Sequence, residues 1–129
     1  MTQVEPARAS LTIYLTGLQL EQVGPATVVS IGQPSLLDED TVNGIADHLN
    51  DLVLSWDCRS LVLCLDAVKR MSSGMLGKIL ALHKKLQRLD GRLLLCGLNP
   101  GIAEVLRVLH LDQLLNVFAT EEEAVQSLQ

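Results

Sequence analysis

The sequence predicts an α/β fold, a mixed central sheet of about four to six strands flanked by about four helices. Three observations lead there. Leu61-Val62-Leu63-Cys64-Leu65 and Leu93-Leu94-Leu95-Cys96 are short, wholly apolar runs, as expected of strands buried on both faces. The segment between them repeats its apolar residues at helical spacing, so the two strands should lie parallel with a right-handed crossover. Upstream, Leu18–Val23 and Ala26–Ile31 flank Gly24-Pro25 as the arms of an antiparallel hairpin, which makes the sheet mixed.

Taken in order, Leu11-Thr12-Ile13-Tyr14-Leu15 alternates like a half-buried strand and precedes the hairpin. Residues 32–37 read as the exit loop. Asp38-Glu39-Asp40-Thr41 places acids and a capping hydroxyl at a helix start, followed by Val42, Ile45, Leu49, Leu52 and Val53 at helical spacing. Residues 55–60 lead into the central strand. In the next helix Met75, Leu76, Ile79, Leu82, His83, Leu86 and Leu89 share one side, while Lys78, Lys84, Lys85 and Arg88 share the other. A serine stands ready as its N-cap, and Gly91 suits a left-handed C-cap. Asn99-Pro100 offers a cap and a proline at the first turn of a third helix with an apolar stripe of Ile102, Val105, Leu106 and Leu109. A single turn near Leu111, a short strand at Asn116-Val117-Phe118, and a last helix opened by Thr120 and Glu123 complete the order.

The chain has 129 residues, enough for one domain with a real core. Tyr14, Trp56 and Phe118 are its only aromatics, so the core is aliphatic and there is no stacking platform for single-stranded nucleic acid. A formal charge of -5 argues further against a nucleic-acid partner. No apolar run approaches the ~18 residues of a membrane span, so direct membrane insertion is not expected. The first ten residues carry Glu5 and Pro6 and lack the apolar stretch of a signal peptide, which makes the cytoplasm the expected compartment. Cys58, Cys64 and Cys96 lack metal or redox spacing and read as reduced, structural thiols. No metal or cofactor is called for.

The stretch Arg70-Met71-Ser72-Ser73-Gly74-Met75-Leu76-Gly77 sits where the chain leaves a buried strand and opens a helix, the usual place for function in an open α/β sheet. Its glycines make neither a dinucleotide fingerprint nor a phosphate-binding loop. No Ser–His or paired-carboxylate arrangement surrounds it, so an enzyme is not expected. On these residues alone Ser72 is a helix cap, Ser73 a cap or packing residue, and Asp66 a support that bonds backbone amides of the following loop. His83 reads as a hydrogen-bonded core histidine. His48 and His110 have no partners at ligand spacing.

Five pieces in order carry a resemblance: Leu63-Cys64-Leu65-Asp66, the Ser72-Ser73-Gly74-Met75-Leu76-Gly77 motif, Asp90-Gly91 with its strand, Asn99-Pro100, and Phe118 with Glu122-Glu123-Ala124. Together they resemble the STAS domain family, best represented by bacterial anti-sigma factor antagonists. The likeness is strong over 60–128, looser over 26–54, and absent before Leu18. Residues 18–129 are thus the expected domain, and 1–17 an N-terminal extension with one candidate strand. The resemblance implies a non-enzymatic, partner-switching regulator of transcription. Its partner would be an anti-sigma factor that is also a serine kinase of the histidine-kinase-like ATPase type, with a phosphatase resetting the switch. The phosphorylated residue would be Ser72, and the partner-binding surface Lys69, Arg70, Met71, Ser72, Ser73, Gly74 and Met75. Two departures stand out: Met71 replaces the family's acid before the first serine, and His110 stands where many relatives carry glycine. The first fits a second implied role, a non-phosphorylated accessory subunit that stabilises the ATPase of an ABC-type lipid transporter.

Overall fold

The computed structural model describes residues 10–13 and 17–128. Strands β1 (Ser10–Ile13), β2 (Leu18–Val23), β3 (Ala26–Ile31), β5 (Ser60–Cys64), β7 (Arg92–Cys96) and β8 (Asn116–Phe118) form one sheet in the order β1-β2-β3-β5-β7-β8. The first three are antiparallel, and β3, β5, β7 and β8 run parallel. The hairpin forms as expected, with Leu18 opposite Ile31 and Val23 opposite Ala26. Gly24, at φ 58, supplies the positive φ that a two-residue turn needs. Of the N-terminal strand expected over 11–15, residues 11–13 lie in β1; Tyr14 and Leu15 fall outside the described residues.

The all-apolar strands still alternate. Val29, Ile31, Leu61, Leu63, Leu93 and Leu95 face a large core shared with helices α1 (Glu39–Leu54), α2 (Ser73–Arg88) and α3 (Pro100–Val108). Val28, Val62, Cys64, Leu94 and Cys96 face a small core closed by Ala124 and Val125 of α4 (Glu121–Gln126). Two faces of unequal cover explain why Leu61–Cys64 and Leu93–Cys96 carry no polar residue at alternate positions. Within the small core Cys64 and Cys96 stand side by side in register, their sulfurs 3.2 Å apart. Hydrogen bonding to Cys96, burial and the nearby Glu121 hold the Cys64 thiol well above the usual thiol range. Among the described residues, no helix is long and apolar enough to cross a membrane.

Several local expectations change. The cap of α1 is the Asp38 carboxylate, which accepts from Thr41 N at 3.0 Å and Thr41 Oγ1 at 3.2 Å, so Thr41 donates rather than caps. Residues 32–37 contain a two-residue strand, β4 (Ser35–Leu36), that pairs in parallel with β6 (Arg70–Met71). Behind α2 the left-handed position is Asp90, at φ 60, not Gly91. Gly91 N–H reaches back to Leu86 O and Asp90 N–H to Gln87 O, the paired bonds of a Schellman motif. Gly91 is needed for room instead: a Cβ there would meet Arg59 O at 2.6 Å and Leu86 Cδ2 at 2.8 Å. His110 holds φ 60 after α3, which explains why glycine suits that position. In α3 only Ile102 and Leu106 are buried; Val105 and Leu109 stay 45% and 55% exposed. His83 is buried as expected, but its Nδ1 has no hydrogen-bond partner.

Gly91→Ala should therefore cost about 1–3 kcal/mol of stability through steric overlap. His110→Gly should gain up to about 1 kcal/mol by relieving the left-handed backbone. Urea unfolding of both variants checks this pair of opposite signs. Burial also pushes the His83 imidazole below its ordinary range. The unfolded chain then takes up a proton at higher pH than the folded one, so this contribution is lost as pH falls below about 6.5. Unfolding midpoints measured at about pH 7.5 and 5.5 should fall further for the wild type than for His83→Leu.

Candidate functional site

Ser72 follows β6 directly and caps α2. Its Oγ accepts from Met75 N–H at 3.1 Å while its own N–H donates to Leu36 O at 2.9 Å. The serine is half-buried, neither walled into the core nor placed within the main sheet. Its neighbours Lys69, Arg70, Ser73 and Gly74 are exposed, and Met71 is half-buried. Met75 is the exception among the expected contact residues. At 0% exposure it belongs to the core, because the first inward position of an amphipathic helix must pack.

The loop carrying these residues is held from three directions. Pro34 O accepts from both Lys69 N–H at 2.7 Å and Arg70 N–H at 3.0 Å. The short β4–β6 ladder continues this to Ser72. From the other side Asn99 Nδ2 donates to Val68 O at 3.3 Å and Lys69 O at 3.0 Å, while Asn99 Oδ1 caps α3 by accepting from Ile102 N–H at 2.8 Å. An amide side chain carries an acceptor for the helix on one atom and two donors for the two loop carbonyls on another, where a hydroxyl has a single donor and a carboxylate none. Sequence reading found the cap and missed the clamp. The signal was there in the choice of asparagine over serine or aspartate.

Asp66 lies further from this work than expected. It is exposed, and among the described residues its carboxylate accepts no backbone amide. It sits instead against the open face of Gly97, at φ 74, where any Cβ would overlap the carboxylate. The carboxylate thus packs over the bare backbone of Gly97, just past the ends of β5 and β7.

Two hollows flank the loop, separated by the half-exposed Leu37. One, of about 440 Å³, is lined by Ser72, Gly74 and Lys78 of α2 and by Glu39, Val42 and Asn43 of α1. The other, of about 250 Å³, lies between β6 and α3 and is mostly apolar. Neither holds a cluster of titratable groups suited to proton transfer or metal binding, and among the described residues no metal-ligand cluster occurs. The site can present a hydroxyl beside amide N–H groups and a lysine; among the described residues the Ser72 hydroxyl makes no hydrogen bond to a histidine or a carboxylate.

The family pattern described as the STAS domain matches residues 17–124. An anti-sigma F factor antagonist from Paenibacillus polymyxa is 24% identical over 112 residues, covering 87% of this chain and 96% of that relative. Among solved structures, an anti-sigma-factor antagonist (STAS) domain protein from Planctomyces limnophilus aligns with a TM-score of 0.76 and 23% identity, over 87% of this chain and 97% of that one. The Bacillus cell fate determinant SpoIIAA in its phosphorylated form aligns at 0.68 and 23%, over 87% and 99%. With the motif loop, the mixed sheet and the helix order in agreement with that pattern, the chain belongs to the STAS domain family.

Proposed function

We propose that this chain is a non-enzymatic, cytoplasmic regulatory module of the anti-sigma factor antagonist kind, switched by phosphorylation of Ser72. The observation that carries the reading is Ser72 itself, held half-buried on a pinned loop at the mouth of α2, where it lines an open hollow. A similar fold is known in a phosphorylated form, which supports a modification compatible with the architecture. A phosphate on Oγ adds about -1.5 to -2 charges and finds the helix N-terminus, with Lys78 lining the same hollow. The fold survives, and the docking surface changes sign. The partner in this reading is an anti-sigma factor that is also a serine kinase of the histidine-kinase-like ATPase type, and a phosphatase restores the binding form.

Met71 favours a second reading. It replaces an acid and turns part of the motif face apolar, lining the hollow beside α3. A surface of that kind suits constitutive docking without a phosphate cycle, as an accessory subunit steadying the ATPase of an ABC-type lipid transporter would require.

Ser72 variants separate capping from switching. Ser72→Ala should lose about 1 kcal/mol of stability with the cap yet keep partner binding. Ser72→Asp should keep the cap and stability but bind at least tenfold more weakly, about 1.4 kcal/mol. Thermal unfolding and calorimetric titration with an anti-sigma kinase captured from the source cells read the two effects independently. Equal binding by both variants would remove the switch, and capture of a transporter ATPase instead would establish the accessory role.

A further inference from the structure

The trough between β6 and α3 has a composition that the phosphoswitch does not use. Its floor is Leu76 and Ile102, and its walls are Leu37, Met71 and Val105. On the rest of α3 and the turn that follows, Val108, Leu109 and Leu114 are also 59%, 55% and 59% exposed. An apolar trough with exposed apolar side chains on the same helix is the composition of a contact surface. At one end stand Lys69 and Arg70. Among the described residues neither has a carboxylate partner, and no acid lines the trough. This basic rim sits on a chain whose formal charge is -5.

We infer that the trough is a docking groove for an amphipathic helix of a protein partner, one whose apolar stripe is flanked by carboxylates. The inference rests on the interaction reading above and names the chemistry of the contacting segment. Charge complementarity selects the occupant: a stripe flanked by lysines meets Lys69 and Arg70 with repulsion, and one flanked by glutamates meets them with attraction. A helix fits better than an added strand, because β6, which borders the groove, is only two residues long and offers little backbone edge to pair with, while α3 and Leu37 wall the groove with side chains. Gly101 lines the same groove and presents no side chain against an approaching helix. The backbone of the rim is set in advance, since the Lys69 and Arg70 amides donate to Pro34 O and Lys69 O accepts from Asn99 Nδ2.

The test uses the full chain and two designed helical peptides of about 18 residues. Both carry the same leucine stripe; one is flanked by glutamates and the other by lysines. In titrations of isotope-labelled protein the glutamate peptide should shift the amide signals of Met71, Ile102 and Val105. It should bind about tenfold more tightly than the lysine peptide at ~0.1 M salt. The double variant Lys69→Glu with Arg70→Glu should reverse that order, and Val105→Asp should weaken both peptides. Equal affinities, or signals shifting only around Asn43 and Lys78, overturn the groove. So does a dimer of the chain alone that Val105→Asp dissolves, which assigns the face to a second copy. If the captured anti-sigma kinase still binds while the peptides fail to discriminate, only the groove assignment falls. If the kinase does not bind either, the interaction reading falls with it.

Discussion

One carbonyl group, that of Pro34, does more than any other to organise the functional face. By accepting from two consecutive amides it fixes the backbone of Lys69 and Arg70, and the β4–β6 pairing then delivers Ser72 to the start of α2 in a set orientation. Without that tether, the segment between β5 and α2 would be an ordinary surface loop, costly to order on contact with a partner. The tether joins two stretches more than thirty residues apart in sequence, so the display of the serine depends on the whole parallel sheet being formed.

Much of this architecture is legible in the amino-acid order, for reasons of periodicity. The hairpin, the two central strands, α2 and its serine cap follow from apolar spacing and turn residues, and the structure agrees nearly residue for residue. What escapes is whatever lacks a repeat. β4 and β6 are two residues each, too short to carry any alternation, so residues 32–37 read as plain loop. Gly91 reads from the sequence as a residue needed for backbone freedom. Only the distance to Arg59 O shows that lack of bulk is what the position requires.

Where the candidate site residues lie follows partly from the sequence. Ser72, Lys69 and Arg70 come to one surface because they are consecutive, whereas Met75 turns inward with the helix it begins. Leu37, Asn99 and Val105 join them only through the fold. The apolar stripe of α3 illustrates the limit well: spacing identifies which residues share a side, but the width of the cover decides which of them are wetted. Here the sheet covers Ile102 and Leu106 and leaves Val105 and Leu109 outside. Asp66 shows a related limit, since a carboxylate after a strand is equally suited to hydrogen bonding and to filling space beside a glycine.

The order of the main sheet has a bearing on how the chain is made. From β1 through β8, each strand lies beside the one that precedes it in that sheet, with no later strand inserted between earlier ones. A chain emerging from the ribosome can therefore extend its sheet at one growing edge, always adding to a neighbour already synthesised. The hairpin serves as the template, and α4, seated last over the small core, closes the only face left wet by that vectorial growth.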